Sequence, residues 1–450
     1  MKSRLDLKEK IQFIKDTENN NSVDKWVFNG VNLWIIIRQK LLFYSDKKVD
    51  RVNKKIVVGL IKNIFYSLKV IVQSCLDKKC KVLYVSNPQI LEYYNGKYYN
   101  KMFHNIIQNE DCALVLEYKK QALYPRAHKH RVVEFLVPSS LIILVIKLFV
   151  KKKIFFTQEF VQWREIIQKQ LPNDLLKELS NKVFINEIRR VSASYIYWKY
   201  LLKRMRVKEI FLVPYYNNNY FGLLKAAHHL NIPTVDVQHG IQGEYHIAYS
   251  NFTKLSEQGE AMLPKYFWCW DESSANSINN WASRTNYHQA IVTGHPWVNF
   301  LKTTIKPSDS RIILFTAQPF EIERAFSLKV ISVLKYLRKY GELVIRLHPM
   351  QVKSAKEIDS YLISKGLKLD LNRSQQALPQ LLASTLVHVT LCSSVTIEAD
   401  MFGVKTILLD NVGKLLFNKY IEEGKAFYSE SENMLYEILS SQLKLEVSNV

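Results

Sequence analysis

The sequence predicts an α/β protein of two Rossmann-like domains facing each other across a cleft. Short β-branched runs alternate with longer amphipathic stretches, which is the pattern of parallel strands covered by helices on both faces. The chain has 450 residues, too many for one ordinary core and enough for two domains of about 150–250 residues each. The alternation also begins afresh after the polar stretch Lys306, Pro307, Ser308, Asp309, Ser310. That stretch puts the boundary near 295–310 and the domains at 1–300 and 301–450.

In chain order, the first half predicts strands over 81–86, 113–117, 154–157, 209–214, 234–238, 266–270 and 290–293. The second half predicts strands over 311–316, 342–347, 385–389 and 405–409, separated by helices over 321–340, 355–365, 377–383 and 394–402. The apolar run 135–150 is interrupted only by Pro138, Ser139, Ser140 and Lys147. It falls short of the ~20 residues a spanning helix needs. It therefore reads as a buried helix or, with Lys151, Lys152 and Lys153 behind it, as a segment inserted into one leaflet.

Hydrophobic content of 48% with 23% charged residues is that of a globular protein and excludes a disordered one. The five cysteines, Cys75, Cys80, Cys112, Cys269 and Cys392, are scattered, with no zinc-type spacing, and fit a reducing, cytoplasmic setting. The polar start Met1-Lys2-Ser3-Arg4 carries no signal peptide. The net charge is +22, and residues 1–210 hold 40 Lys/Arg against 19 Asp/Glu, so nearly all of the excess lies there. Such a charge suits an anionic membrane surface, an anionic polymer or a nucleic acid, and an anionic inner-membrane surface, bound peripherally, is the expected partner. The stretch 54–71, opening on Lys54-Lys55, reads either as a basic amphipathic helix suited to a membrane interface or as a core-facing helix with a solvated lysine face. No nucleic-acid-binding motif accompanies the charge.

Chemistry is expected at strand tips, because open α/β sheets bind ligands outside the carboxyl ends of their strands. The strand over 234–238 ends at Gln238, followed by His239 and Gly240. His239 is the candidate general base for an acceptor hydroxyl, with Gln238 beside it, and His246 and Glu244 are the runners-up. Gly294-His295-Pro296 reads as a structural hinge, and His228-His229 as a polar helix face.

In the second half, Arg346, His348 and Pro349 end one strand. Arg346 is suited to forking onto phosphate oxygens, His348 to donating to phosphate or ribose, and Pro349 to fixing the exit from the sheet. Ser393 and Ser394 precede a helix bearing Glu398. Serines at a helix start satisfy free N–H groups and favour phosphate, and Glu398 is placed to accept from ribose hydroxyls. Thr316 and Gln318, at another strand tip, are expected on the same cleft. No Asp-X-Asp occurs, so no metal-dependent donor site is expected; no cofactor is expected either.

Taken together, the strand-end His348-Pro349, the Ser393-Ser394 before a Glu-bearing helix, and the upstream Gln238-His239-Gly240 resemble glycosyltransferases of the GT-B fold. More narrowly, they resemble bacterial enzymes that build capsule and lipopolysaccharide glycans. Trp26-Val27-Phe28-Asn29-Gly30, with Leu33-Trp34 and Arg38, is similar to an N-terminal signature of such proteins. The resemblance implies an acceptor-binding first domain and a second domain that binds a nucleotide-sugar donor. The sugar would go to a lipid-linked or growing surface polysaccharide at the inner face of the cytoplasmic membrane. His-Pro and Ser-Ser elements also hold the CMP-sugar of bacterial sialyltransferases. Their acidic-acidic-Gly motif has no match here, because Asp271-Glu272 is followed by Ser273. CDP-glycerol glycerophosphotransferases share His-Gly and His-Pro sites, but with Trp where Gln238 stands. Polyol-phosphate transfer from a CDP-polyol, and a non-catalytic scaffold of a polysaccharide-assembly complex, are the alternatives.

Overall fold

The computed structural model describes residues 5–44, 57–77, 81–87, 90–117, 125–134, 136–151, 153–302, 305 and 311–442. Lys54-Lys55, Cys80 and the polar stretch 306–310 lie outside these. The chain divides after Pro296 into two units, Met1–Pro296 and Trp297–Val450.

The first unit is built on seven parallel strands: β1 (Val82–Ser86), β2 (Ala113–Glu117), β3 (Arg131–Glu134), β4 (Glu209–Leu212), β5 (Thr234–Val237), β6 (Tyr266–Cys269) and β7 (Gln289–Val292). Their order across the sheet is β3-β2-β1-β4-β5-β6-β7, so the winding reverses between β1 and β4. All five residues of β1 and all five of β2 are buried, as parallel strands covered on both faces must be. The second unit has five parallel strands: β8 (Ile312–Thr316), β9 (Glu342–Arg346), β10 (Thr385–Thr390), β11 (Thr406–Leu408) and β12 (Ala426–Tyr428). They lie in the order β9-β8-β10-β11-β12, reversing between β8 and β10. Alternate residues of β8 feed opposite cores. Ile313 and Phe315 join Val387, Val389 and Leu334 on one face, while Ile312 and Leu314 join Val344, Leu381 and Leu382 on the other. Each unit is thus a doubly wound, Rossmann-like α/β layer structure, as the alternation predicts.

Two sequence expectations fail locally. Residues 154–157 form no strand. Thr157 instead caps helix Gln158–Ile167, its Oγ1 accepting from the Phe160 N–H at 3.3 Å, and Phe156 packs on Phe28 and Phe160. The edge position beside β2 goes to β3, which has only two apolar residues, Val132 and Val133, between Arg131 and Glu134, too short a run to stand out in the sequence. The single helix expected over 321–340 is broken. Ile322–Ala325 stops, and Ser327 starts Leu328–Leu337 by accepting from the Val330 N–H at 3.4 Å. The run at 135–150 does form a helix, Leu136–Phe149, but its outer face is exposed, so the buried reading does not hold. Among the described residues no helix is long and apolar enough to cross a membrane.

The N-terminal segment is a clamp on the first unit. Asn29 and Gly30 have φ of 51° and 69° and join Val27–Phe28 to Val31–Asn32 in a tight hairpin, a turn that needs left-handed backbone at both central positions. Trp26 packs edge-on to Trp34 and Phe160 and against Trp163, so the signature residues serve as core.

Candidate functional site

The tips of β4 and β5 lie beside the reversal point of the first sheet. After β4 the chain presents Tyr215 and Tyr216, and after β5 it presents Gln238 and His239. The Tyr216 hydroxyl lies 3.2 Å from His239 Nε2. The other ring nitrogen, Nδ1, is buried and has no partner. Burial holds the imidazole well below its ordinary pKa, at about 4, and the nearby Lys101 charge acts in the same direction. His239 is therefore neutral at physiological pH. In the tautomer whose Nε2–H donates to Tyr216 Oη, the Nδ1 lone pair is open, which is the arrangement a general base requires. His246 packs on Tyr216 and Tyr249, and its Nδ1 accepts from the Ala248 N–H at 3.3 Å. That bond occupies its basic nitrogen and removes it as an equal alternative. Glu244 is exposed.

Gln238 does not face an acceptor. It is fully buried, and its Nε2 donates to Gly240 O at 2.8 Å and Ser274 Oγ at 3.1 Å. Its Oε1 accepts from the Trp270 N–H at 2.6 Å. Both donor hydrogens and an acceptor lone pair are spent on fixing the strand tip to the end of β6 and to helix Glu272–Ala282.

Asp236, which the motif reading passed over, lies inside β5. Its Oδ1 accepts from the Tyr215 N–H at 2.8 Å, and its Oδ2 lies 2.8 Å from Tyr249 Oη. Burial pushes its carboxyl up to about 8, against the pull of the Tyr249 hydroxyl and the Tyr215 N–H that donate to it, so at pH 7 it mostly keeps its proton. Asp236 ties the loops after β4 and β5 together as a neutral acid. An aspartate at an alternating apolar position of a strand (Val235-Asp236-Val237) is the signal that marks it.

Arg38 anchors the loop after His239. It is buried, pairs with Glu18 Oε1 at 2.7 Å, and donates to the carbonyls of Ile247 (2.6 Å), Asn251 (3.0 Å) and Ser250. Its guanidinium lies 3.8 Å over the Phe252 ring. Glu18 also accepts from Trp34 Nε1 at 2.7 Å and from the Thr253 N–H and hydroxyl at 2.6 Å each. The hairpin-and-helix signature therefore acts on the site at a distance, by holding residues 247–253. His295 is 1% exposed and stacks on Trp270 at 4.0 Å. His228 packs on Tyr287, and His229 lies 3.3 Å from the Tyr195 hydroxyl.

In the second unit, all eight predicted donor-site residues come from the carboxyl ends of β8, β9 and β10 or the turns and helix that follow. The duties of several differ from expectation. Thr316 Oγ1 lies 2.8 Å from His388 Nε2 inside the sheet, and the other nitrogen of that ring is 2.9 Å from Thr406 Oγ1, so Thr316 is an internal partner. Burial holds His388 at about 3, that is, neutral. Arg346 Nη1 donates to the carbonyls of Ser374, at 3.3 Å, and Gln376, so this nitrogen fixes a loop and is not free to fork onto phosphate. His348 Nδ1 accepts from the Met350 N–H at 3.2 Å, which leaves the proton on Nε2 as a donor. Pro349 opens the short helix Pro349–Ser354, where its missing N–H costs nothing. Ser393 Oγ accepts from the Val395 N–H at 3.3 Å, whereas Ser394 makes no capping bond. Glu398 is buried, and its charge reaches the His388 ring. Gln318 is partly exposed at the tip of β8. Among the described residues no group of three or more His, Cys, Asp or Glu side chains is placed to hold a metal ion.

No family model matches this chain, and no curated protein does. Several solved structures are similar at low identity. A UDP-GlcNAc 2-epimerase from Neisseria meningitidis bound to UDP-GlcNAc aligns over 82% of this chain and 95% of its own, at 16% identity and a TM-score of 0.44. The S. aureus MnaA–UDP structure aligns over 82% and 92%, at 14% identity and a TM-score of 0.44. The wall teichoic acid polymerase TagF aligns over 86% of each chain, at 11% identity and a TM-score of 0.44.

Proposed function

We propose that this chain is a glycosyltransferase that moves a sugar from a nucleotide-sugar donor to a hydroxyl of a lipid-linked or growing surface polysaccharide, of capsule or lipopolysaccharide type, at the inner face of the cytoplasmic membrane. One observation carries the reading: His239 is neutral, is gripped through Nε2 by Tyr216, and has its other nitrogen buried without a partner at the carboxyl edge of a doubly wound sheet. In the reaction the acceptor oxygen bonds to the anomeric carbon, the bond from that carbon to the donor phosphate oxygen breaks, and the acceptor proton moves to His239 Nδ1. The nucleotide leaves with its phosphate. On the second unit, the His348 Nε2–H donor and the turn at Ser393-Ser394 are the groups assigned to the donor phosphates, and Gln318 and Glu398 are assigned to the same donor.

The test is a donor panel of CMP-, CDP-, UDP- and GDP-sugars with CDP-glycerol, given to the purified full chain with membrane acceptor and read by mass of the product. Sugar transfer by the wild type is expected. His239→Ala should lose at least about a hundredfold in rate and keep the nucleotide-dependent rise in melting temperature. Turnover with CDP-glycerol alone would move the assignment to polyol-phosphate transfer. A wild type that consumes no donor would make the chain a scaffold.

A further inference from the structure

The apolar helix Leu136–Phe149 is where the first unit leaves its interior unfinished. It lies antiparallel along helix Asn181–Met205. Ser139 Oγ is 2.9 Å from Tyr197 Oη, Lys147 Nζ donates to Asn186 Oδ1, and Arg189 donates to Lys147 O at 2.7 Å. Ile143 and Ile146 pack inward on the core. The opposite face does not pack. Leu141, Leu144, Val145, Leu148 and Phe149 are 55%, 56%, 57%, 66% and 84% exposed. These positions recur at three and four residues, so they form one stripe along the helix. Phe155 just beyond is 77% exposed. The neighbouring helix Val57–Asp77 packs on the same two helices and carries a second stripe of the same kind, with Phe65, Lys69, Val72 and Leu76 exposed at spacings of four, three and four. Water is a poor neighbour for so much exposed apolar side chain on two packed helices of a globular chain.

The charge around the stripe says what covers it. No acidic residue occurs between Glu134 and Glu159, whereas Lys147, Lys151, Lys152 and Lys153 follow or interrupt the apolar run. Lys151 and Lys153 are exposed, Lys153 with its Nζ 5.5 Å from the Phe155 ring. The exposed stripe of Val57–Asp77 likewise carries a lysine and no acid. A second copy of the chain docked by this face would set lysines against lysines. A 14-residue helix is about 21 Å long, shorter than the ~30 Å hydrocarbon layer, so it suits lying in an interface and not crossing one.

We propose that the exposed face of Leu136–Phe149, extended by Phe155 and the stripe of Val57–Asp77, is a docking surface for an anionic lipid bilayer. The apolar side chains enter the headgroup–acyl boundary and Lys151 and Lys153 meet the lipid phosphates. The inference deepens the membrane part of the proposed function. It is read without turnover, so it stands or falls apart from the chemistry.

The experiment is flotation of the purified full chain with vesicles containing phosphatidylglycerol and with pure phosphatidylcholine vesicles, at about 0.1 M and about 1 M salt. The wild type is expected to float with the anionic vesicles at low salt and to lose most of that binding at high salt. Leu144→Gln/Leu148→Gln/Phe149→Gln should weaken binding more than tenfold, and Lys151→Gln/Lys153→Gln by about fivefold per lysine. Both variants should keep the wild-type melting temperature, since the replaced side chains are exposed. A wild type that does not float, a triple variant that floats like the wild type, or a wild-type dimer that the triple variant turns into a monomer would each overturn the proposal, the last in favour of self-association.

Discussion

Replacing Arg38 by Met tests whether the N-terminal signature acts on the site by holding the loop after His239. The substitution keeps the stem of the side chain and removes the guanidinium. Four acceptors lose a donor: Glu18 Oε1 and the carbonyls of Ile247, Ser250 and Asn251. Breaking one side of a buried ion pair costs about 3–5 kcal/mol, mostly because a charge stays behind unpaired. Glu18 keeps Trp34 Nε1 and both Thr253 donors, which moves the charge part to the low end of that range. Three abandoned carbonyls at about 1 kcal/mol each move the total back up. A loss of about 6 kcal/mol is expected. In urea, at an m-value of about 3 kcal/mol/M, the unfolding midpoint of the first unit should fall by about 2 M, followed by tryptophan fluorescence, since Trp34 bonds Glu18 and Trp26 packs on Trp34. Arg38→Met/Glu18→Gln removes both charges and should recover part of the loss, a coupling that unlinked residues do not show. Amide exchange at 247–251 should accelerate in the single variant. A midpoint within about 0.3 M of the wild type, or a double variant as unstable as the two single losses added, would refute the reasoning.

Three other outcomes follow from the same contacts. Because burial raises the Asp236 carboxyl to about 8, the folded chain holds a proton that the unfolded chain releases near pH 4. This contribution to stability is complete below about pH 4, falls by up to about 1.4 kcal/mol per unit as pH rises, and is gone above about pH 8. Asp236→Asn should flatten that slope in pH-dependent unfolding. With His239 at about 4, the acid limb of kcat/KM should lie near pH 4 and not near 6.5, and Lys101→Gln should move it upward, as a pH–rate profile reads. A Cβ on Gly222 would fall 2.4 Å from Ser194 Cβ and 2.7 Å from Tyr195 N, where helix Phe221–His229 crosses helix Asn181–Met205, so Gly222→Ala should cost about 2–3 kcal/mol in equilibrium unfolding.

What the sequence made legible was local, and what it hid was contact between distant residues. Hydrophobic alternation marks β1, β2 and β8 because each is a short apolar run between turns, and the tips of β5, β8 and β9 follow from where those runs stop. Nothing local shows that an arginine at a strand end also holds two carbonyls, so the contacts of Arg346 Nη1 appear only when the loop at 374–376 is seen lying against it. Thr316 fails for the same reason: its partner, His388, is 72 residues away. Tyr216, the residue that gives His239 a fixed orientation, is 23 residues upstream in an aromatic-rich turn with no motif of its own. β3 is hidden by its brevity, since Val132 and Val133 alone, between Arg131 and Glu134, make no apolar run of strand length.

Gln238 and His239 show why adjacent residues at a strand tip take separate duties. Successive side chains at the end of a strand point to opposite sides, so the two meet different neighbours. The amide meets Trp270, Gly240 and Ser274, and the imidazole meets Tyr216. If the amide were a binding group, Gln238→Met would leave stability nearly unchanged and raise KM. The geometry requires the reverse. The Trp270 N–H loses its acceptor, the Gly240 carbonyl loses its donor, and unfolding should become easier by about 2–3 kcal/mol. Activity below the melting transition should fall only as far as His239 is displaced. For His239→Gln the pattern inverts, with activity lost and the melting temperature nearly kept, because the imidazole makes one bond, to a tyrosine that remains in its packed position. Measuring melting temperature and kcat for both variants separates the two residues. A Gln238→Met variant that melts with the wild type would return the amide to the acceptor side and leave the strand tip without its lock.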